Sequence, residues 1–211
     1  MYSEKRAVIM AGADIKDYTF YKPLDTDFLI CADRGYRHCK ALGLVPDVLL
    51  GDFDSLDIPF PEGIERHTYP AEKDETDLQL AIDLAIKKGF KEIYCIGVFG
   101  GRCDHFLGNI GLMKWARDRG ASLTFEDGDT YMFLLSGEVT LSKRENHYLS
   151  LIPFFEDATV SLSGTKYTAE NALIRIGDTL GISNEIKKET AHISVHGGSA
   201  LVLLCRADKT L

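Results

Sequence analysis

Residues 28–55 read FLICADRGYRHCKALGLVPDVLLGDFDS, and the patterns within this stretch indicate how the first half of the chain is built. Its first five residues, Phe28–Ala32, form a short apolar run, which is typical of a buried strand. Tyr36–Leu42 then predicts a helix that Gly43 ends. Val48–Gly51 predicts the next strand. Because a helix lies between the two strands, the stretch indicates a parallel βαβ unit.

The same alternation continues on both sides of this stretch. Ala7–Gly12 predicts a strand before it. After it, apolar residues at helical spacing over Leu78–Ile86 and Phe106–Trp115 predict two helices, with a strand over Glu92–Val98 between them. We therefore predict an α/β N-terminal domain, residues 1–128, with a mostly parallel sheet and helices on both of its faces.

The pattern changes after Gly120, where short β-rich runs alternate with Gly and Asp turn signals and no long helical pattern occurs. We predict that residues 129–211 form a C-terminal antiparallel all-β sandwich or barrel domain. Ser122–Phe125 also predicts a strand, which could still complete the first sheet. The predicted strands after it are Tyr131–Leu135, Glu138–Leu141, Tyr148–Pro153, Thr159–Leu162, Ala172–Ile176, Ala191–His196 and Ala200–Cys205.

The composition of the 211 residues, 45% hydrophobic and 27% charged, is ordinary for a globular protein. The longest apolar runs are far shorter than the ~20 residues of a membrane-spanning helix, and the N-terminus lacks the apolar stretch of a signal peptide. The five cysteines form no Cys-x-x-Cys pair, which favours free thiols and a cytoplasmic location. Without a basic stripe we expect no nucleic acid as partner, and without a spanning segment we expect no membrane.

The formal net charge of −8 is concentrated in one region of the chain. Ten carboxylates and two cations lie between Asp47 and Asp77. Carboxylates crowded together repel one another unless cations neutralise them. A bound divalent metal ion and a solvated acidic loop both account for this composition.

The most informative acidic residues follow the strand at Val48–Gly51. Asp52 and Asp54 are two residues apart, so their side chains point the same way if the chain stays extended. Two carboxylates on one side could chelate Mg²⁺. The alternative is a turn in which Asp and Ser side chains act as local caps.

A second acidic segment, Lys73–Asp77, precedes the second helix. Asp74 as N-cap, with Asp77 three residues later, resembles a capping box. Capping does not explain why Thr76 and Asp77 would face the same sheet edge as Asp52 and Asp54. Helix capping and ligand binding therefore both remain open for this segment.

Paired glycines follow the strand that ends at Val98. Gly100 and Gly101 would let backbone N–H groups approach an anion, and the helix that begins after them favours phosphate. Arg102 supplies a guanidinium fork for phosphate oxygens. His105 and Asn109 lie one turn apart on one face of that helix. The alternative is a flexible loop.

One more strand end carries the sequence Asp33-Arg34-Gly35. Gly35 permits a tight turn, and Arg34 could reach a phosphate. A simple turn between strand and helix explains these residues equally well.

Taken together, these segments resemble one family, the thiamine pyrophosphokinases. In the C-terminal domain, Gly164–Tyr167 resembles that family's Gly-Leu-Lys-Tyr/Trp segment, with Thr165 in place of Leu, and Gly181–Glu185 resembles its Ser-Asn segment. In the N-terminal domain the matching motifs occur in the family's order: Asp33-x-Gly35, Gly51-Asp52-Phe53-Asp54-Ser55, Lys73-Asp74-x-Thr76-Asp77 and Gly100-Gly101-Arg102-x-Asp104-His105.

The resemblance implies an N-terminal domain that binds ATP and Mg²⁺, a C-terminal domain that binds thiamine, and a homodimer with active sites shared between subunits. It implies that Asp52, Asp54 and Asp77 hold the magnesium. The nucleotide-binding residues would be Asp33, Arg34, Gly35, Ser55, Thr76, Gly100, Gly101, Arg102, His105 and Asn109, and the substrate-binding residues would be Lys73, Tyr167, Ser183 and Asn184.

The expected reaction is transfer of the pyrophosphoryl group of ATP to the thiamine hydroxyl, giving thiamine diphosphate and AMP. Such transfer needs a metal to neutralise the polyphosphate, donors for its oxygens, and in-line geometry. Asp74 or Asp104 could accept the hydroxyl proton, and the sequence does not choose between them. Two alternatives are a metal-dependent phosphatase with an Asp-x-Asp loop and a non-catalytic thiamine or nucleotide sensor.

Overall fold

The structure, a computed structural model, describes residues 5–52, 62–70, 72 and 74–207. The predicted site residues Asp54, Ser55 and Lys73 lie outside these ranges. The chain divides into two compact units, Met1–Gly128 and Asp129–Leu211, which we call the N-terminal and C-terminal units.

The N-terminal unit is built on a parallel sheet. Its strand order is β6-β5-β1-β2-β3-β4, and the neighbouring strands pair in parallel throughout. The predicted mostly parallel α/β sheet is confirmed. The strands are β1 (Ala7–Met10), β2 (Phe28–Ala32), β3 (Val48–Gly51), β4 (Glu65–Thr68), β5 (Glu92–Ile96) and β6 (Ser122–Glu126).

Helices cover both faces of this sheet, as predicted. They are α1 (Tyr36–Ala41), which follows a 3₁₀ turn, α2 (Asp77–Lys87) and α3 (Cys103–Arg117). α1 buries Tyr36 and Cys39 in a cluster with alternate residues of the strands, such as Val8 and Met10. The other alternate residues, such as Ile9, are also fully buried, and α2 and α3 pack on the strands from that face. None of the helices in the described ranges is long and apolar enough to cross a membrane.

β4 is not among the strands predicted from the sequence. Its residues, Glu65-Arg66-His67-Thr68, are polar and mostly exposed. They show no hydrophobic pattern because, among the strands that the structure describes, β4 lies at the edge of the sheet and its backbone pairs with β3 alone. An edge strand of charged residues protects the sheet against pairing with other chains.

The C-terminal unit is antiparallel, as predicted. Its strand order is β10-β9-β11-β7, and β8 also pairs with β11. Leu149, Val160, Ile193 and Val202, from three of its strands, are fully buried in one apolar core. The strands are β7 (Thr130–Ser142), β8 (His147–Ile152), β9 (Ala158–Ser163), β10 (Ala169–Ile174) and β11 (Thr190–Arg206).

Two long strands, β7 and β11, organise the C-terminal unit. The sequence predicts two short strands in place of each, and that prediction was wrong. β7 runs through Gly137, and β11 runs through Gly197 and Gly198. These glycines mark an irregularity in the pairing, because the register between β7 and β11 shifts between Val195 and Ala200. The first half of β11 pairs with β9 and its second half with β8, so this one strand connects the pairing of both.

Gly97 tests how closely two backbone segments, those that contain Ala11 and Gly97, approach each other at the end of the parallel sheet. A Cβ at Gly97 would lie 2.6 Å from the carbonyl oxygen of Ala11, whereas a Cβ at Gly89 would meet nothing within 4 Å. Both glycines have positive φ, +73° and +91°. Gly89→Ala should cost about 1–2 kcal/mol of unfolding free energy through φ alone, and Gly97→Ala about 1–3 kcal/mol more through the collision.

Urea unfolding of the two variants measures the difference. Equal unfolding midpoints for Gly97→Ala and Gly89→Ala would show that Ala11 and Gly97 do not pack as closely as described.

Candidate functional site

A cleft of about 490 Å³ opens at the carboxyl edge of the parallel sheet. Its volume is within the roughly 300–1,000 Å³ of small-molecule sites. The strand order reverses at β1, which has β2 on one side and β5 on the other, and open α/β sheets bind ligands at such points. Nine predicted residues line the cleft: Asp33, Arg34, Thr76, Asp77, Gly100, Gly101, Arg102, His105 and Asn109.

The ends of β2 and β3 meet beside this cleft. Asp33 directly follows β2 with a φ of +46°, a left-handed conformation that is uncommon for a residue with a side chain. A Cβ on Gly51, the last residue of β3, would lie 3.1 Å from the Cα of Asp33. Asp52 is the next residue in the chain, so Asp33 and Asp52 follow two strand ends that are in contact. Gly35 packs against the carbonyl of Met10, at the end of β1.

The start of α2 differs from the predicted capping box. Thr76 is the N-cap, and its hydroxyl accepts a hydrogen bond of 3.2 Å from the backbone N–H of Gln79. Asp74 is therefore not the N-cap, and it is exposed. Asp77 is the first helical residue, where a carboxylate also interacts favourably with the helix dipole. Thr76 and Asp77 nevertheless both line the cleft, so capping and ligand binding are compatible here.

Arg102 and Asp104 form an ion pair at the start of α3. The guanidinium donates two hydrogen bonds to the carboxylate, of 3.1 Å and 2.5 Å. Arg102, helped by the backbone N–H of His105, lowers the pKa of Asp104 to about 2. Asp104 is therefore a poor proton acceptor while it holds Arg102. Asp104 lines a smaller crevice of about 180 Å³ between α2 and α3. This crevice shares Thr76, His105 and Asn109 with the cleft.

Asn109 fixes the loop that precedes α3. Its side-chain amide donates a hydrogen bond of 3.2 Å to the carbonyl oxygen of Val98. Gly100 and Gly101 follow with φ values of +88° and +71°, conformations that favour glycine. The predicted glycine loop and the predicted helix residues are therefore connected by a hydrogen bond.

The charges in the cleft are mixed. Among the residues that the structure describes, its acidic side chains are Asp33, Glu75 and Asp77, and its arginines are Arg34 and Arg102. A polyphosphate would be attracted by the arginines and by two helix N-termini but repelled by the three carboxylates. A bound cation would remove this repulsion.

The donor set is chemically suited to Mg²⁺, which prefers carboxylate oxygens. Asp77 lines the cleft, and Asp52 directly follows β3. Within the ranges that the structure describes, no group of three or more His, Cys, Asp or Glu side chains is arranged to hold a metal ion. Asp54 lies outside these ranges, so magnesium binding by Asp52, Asp54 and Asp77 stays a prediction.

One wall of the cleft was missed by the sequence analysis. Residues 11–13 line it, directly after β1. They carry no charged or polar side chain, so no motif marked them. The only available signal was their position after a strand whose parallel neighbours also end at this edge.

In the C-terminal unit, Asn184 connects the two segments that carry the substrate candidates. The side chain is buried, and its oxygen accepts hydrogen bonds from the backbone N–H groups of Tyr167 at 3.0 Å and Glu185 at 2.8 Å. Its amide nitrogen donates to the carbonyl oxygen of Tyr167 at 2.7 Å. The amide of Asn184 therefore holds the backbone of Tyr167 in place.

Unlike the buried Asn184, Tyr167 and Ser183 are exposed to solvent. The Tyr167 side chain is 62% exposed, with the Lys166 ammonium 5.3 Å from the centre of its ring. Ser183 is also exposed and has a φ of +61°. Glu185 pairs with Lys166 and Lys187, which lower its pKa to about 2. The exposed ring of Tyr167 thus offers a flat apolar surface beside paired charges.

The fold defines an α/β protein with a cleft at the carboxyl edge of its parallel sheet and a C-terminal unit of antiparallel strands. Two family models match the chain, "Thiamin pyrophosphokinase, catalytic domain" over residues 24–125 and "Thiamin pyrophosphokinase, vitamin B1 binding domain" over residues 138–200. The thiamine pyrophosphokinase of Bacillus subtilis is 39% identical over an alignment of 189 residues, and the match covers 84% of this chain and 88% of that protein.

Solved structures agree with these matches. The crystal structure of thiamine pyrophosphokinase from Bacillus subtilis has a TM-score of 0.84 and 32% identity, and the match covers 97% of this chain and 100% of that chain. Thiamin pyrophosphokinase from Geobacillus thermodenitrificans has a TM-score of 0.81 and 31% identity, covering 97% and 99%. The chain therefore belongs to the thiamine pyrophosphokinase family and is an enzyme.

The contacts of Asn184 lead to a prediction about the C-terminal unit. Asn184→Ala removes three hydrogen bonds and leaves backbone groups of Tyr167 without this partner. The free energy of opening residues 164–187 should fall by about 2–4 kcal/mol, because each buried polar group left unsatisfied costs about 1–3 kcal/mol. Lys187→Ala, which removes an exposed ion pair, should have little effect.

Hydrogen exchange of residues 164–187 measures this difference. Equal exchange rates in Asn184→Ala and Lys187→Ala would contradict the assigned role of the amide.

Proposed function

We propose that the enzyme transfers the pyrophosphoryl group of ATP to the hydroxyl of thiamine, giving thiamine diphosphate and AMP. The observation that carries the proposal is the cleft where two helix N-termini, a glycine loop and two arginines converge, in the part of the chain that the catalytic family model matches. These groups are donors suited to the oxygens of a triphosphate.

In this proposal, the nucleotide phosphates lie against Gly100, Gly101 and the starts of α2 and α3. Arg102, 75% exposed in its ion pair, exchanges Asp104 for a phosphate oxygen when ATP binds. Arg34 contacts the phosphates from the end of β2. Because the exchange frees Asp104, it also raises the pKa of that carboxyl towards its ordinary value.

The cofactor in this proposal is magnesium, held by Asp52, Asp54 and Asp77. When bound, it would neutralise phosphate oxygens that the carboxylates otherwise repel. The thiamine hydroxyl attacks the β-phosphorus of ATP, the bond to the α,β-bridging oxygen breaks, and AMP leaves with the electron pair. The hydroxyl proton passes to a carboxylate, for which Asp74 and Asp104 are the candidates.

We propose that the C-terminal unit binds thiamine, which the match to the vitamin B1 binding model supports. The exposed ring of Tyr167 is suited to stack on an aromatic ring of the substrate. Ser183 offers a hydroxyl, and Asn184 holds the segment in place. Lys73 would contact the substrate from the chain that precedes α2. The five free cysteines suit a reducing cytoplasm, where we place the reaction.

The assay is incubation of the protein with ATP, Mg²⁺ and thiamine. We expect AMP and thiamine diphosphate in equal amounts. Release of inorganic phosphate would instead indicate a phosphatase. Thiamine or nucleotide binding without turnover would indicate a sensor.

The role of Asp77 is tested with a matched pair of variants on α2. Asp77→Asn should lower the rate of AMP release about 100-fold or more, the scale of losing several kcal/mol of transition-state charge stabilisation. Asp83→Asn, which removes the partner of Lys87 on the same helix, should leave the rate near that of the wild type. An Asp77→Asn protein that is fully active but less stable would show that Asp77 serves only the start of the helix.

We also propose a homodimer with active sites shared between subunits. Large apolar side chains of the C-terminal unit are exposed, including Leu180 at 75%, Ile176 at 56% and Ile182 at 46%. Exposed apolar patches often mark protein interfaces. Light scattering should therefore give twice the monomer mass of 23.5 kDa. A monomer at working concentration with both substrates would contradict the proposal.

Mixing inactive subunits tests whether the sites are shared. An equal mixture of Asp77→Asn and Tyr167→Ala subunits should regain about a quarter of the wild-type activity, because half of the dimers are mixed and each has one intact site. No recovery after subunit exchange would place each site within one chain.

A further inference from the structure

The structure shows a buried histidine that the proposed chemistry does not use. His38 lies on α1 and is 2% exposed. Its Nε2 lies 2.9 Å from the carbonyl oxygen of Ala13, and its Nδ1 lies 2.7 Å from the hydroxyl of Tyr18. Because a carbonyl oxygen only accepts, Nε2 carries the proton and donates, and Nδ1 accepts from Tyr18. Burial lowers the pKa of His38, which agrees with a neutral ring.

The partner of His38 belongs to the wall of the cleft. Ala13 and Gly12 line the cleft directly after β1. Arg37, the neighbour of His38 on α1, donates a hydrogen bond of 2.8 Å to the carbonyl oxygen of Gly12. Two successive residues of α1 thus hold two successive carbonyl groups of this wall.

The wall is also held from β5. The N–H of Ala11 donates to the carbonyl of Ile96 at 2.7 Å, and the N–H of Ala13 donates to the carbonyl of Gly97 at 2.9 Å. Residues 11–13 are therefore fixed between α1 on one side and the end of β5 on the other. Their backbone has little freedom to adjust to a ligand.

The direction of these carbonyl groups matters in a cleft for phosphates. A carbonyl oxygen carries partial negative charge and repels a phosphate oxygen, and the repulsion is strong where water is excluded. The hydrogen bonds from Arg37 and His38 hold the oxygens of Gly12 and Ala13 towards α1. A rotated peptide would instead present an oxygen to the ligand.

We propose that His38 is a positioning residue for the nucleotide, holding the Ala13 carbonyl towards α1 so that the wall at residues 11–13 accepts phosphate. This inference rests on the proposed ATP site. It adds a requirement that no motif of the sequence shows, because His38 acts on the cleft through the backbone of its wall, at the carbonyl of Ala13.

Two variants of His38 distinguish the role of Nε2 from the role of Nδ1. In His38→Gln, the side-chain amide nitrogen takes the place of Nε2 and can still donate to Ala13. In His38→Asn, the shorter amide takes the place of Nδ1, so it can contact Tyr18 but cannot reach Ala13. The two variants have similar polarity, and only one keeps the bond to the wall.

The measurement is the dissociation constant of ATP with Mg²⁺, determined by titration calorimetry without thiamine. His38→Asn should weaken binding about five- to tenfold, the effect of one lost positioning hydrogen bond. His38→Gln should remain within about twofold of the wild type. In turnover assays, His38→Asn should raise KM for ATP by the same factor and leave kcat and KM for thiamine unchanged.

Tyr18→Phe is a second variant, which keeps the aromatic ring and removes the hydroxyl that fixes Nδ1. It should weaken ATP binding about two- to threefold, since the imidazole of His38 can then rotate. If His38→Asn does not fold, unchanged ATP binding by Tyr18→Phe overturns the proposal.

Equal ATP affinities of His38→Asn and His38→Gln would also overturn it, and so would a lowered melting temperature without a change in affinity. These outcomes differ from failure of the proposed function. If the wild-type protein binds no ATP, the ATP site itself is wrong. If the wild type binds ATP and His38→Asn binds it equally well, only the role of His38 is wrong.

Discussion

Parallel pairing of β1 with both β2 and β5 is the constraint on which the cleft depends. In a parallel sheet all carboxyl ends lie at one edge, so segments far apart in the chain are brought together there. Asp33, Gly97 and the residues after β1 meet for this reason. The helices α2 and α3 begin at the same edge and direct their N-termini towards the space between the strand ends.

The balance of charge in the cleft follows from this convergence. Each strand end or helix start contributes its own polar residues, and within the described part of the chain these place three carboxylates beside two arginines. In such a site one group of side chains repels a bare anion and the other group repels a bare cation. The site suits a ligand that contains both charges, such as a metal–polyphosphate complex. The ion pair of Arg102 with Asp104 keeps one of the arginines neutralised.

Hydrogen bonds to the backbone position both groups of candidate residues. Asn109 and His38 hold the loops of the cleft through the carbonyls of Val98 and Ala13. Asn184 does the same for Tyr167 in the C-terminal unit. In each case a polar side chain donates a hydrogen bond to a main-chain oxygen. A motif search would either assign such a side chain to the ligand or overlook it. Loop support is thus a role that these three side chains share.

The sequence by itself determined the two fold classes, the strand ends that carry Asp33, Asp52 and the paired glycines, and the family. These features depend on apolar periodicity and on residues within a few positions of one another, which a linear pattern contains. The edge strand β4 was not determined, because its pairing uses backbone groups and leaves no hydrophobic pattern. The continuity of β7 and β11 through their glycines was also not determined, because a bulge and a turn have the same local composition.

Only the tertiary structure decided that Thr76 rather than Asp74 caps α2 and that residues 11–13 form a wall of the cleft. It also decided that the amide of Asn184 is occupied by the backbone of Tyr167 and that His38 donates to Ala13. Which partner each of these residues contacts depends on where the folded chain places the other polar groups. Hydrogen bonds are short and directional, so their partners are settled only when the sheet and helices have been packed.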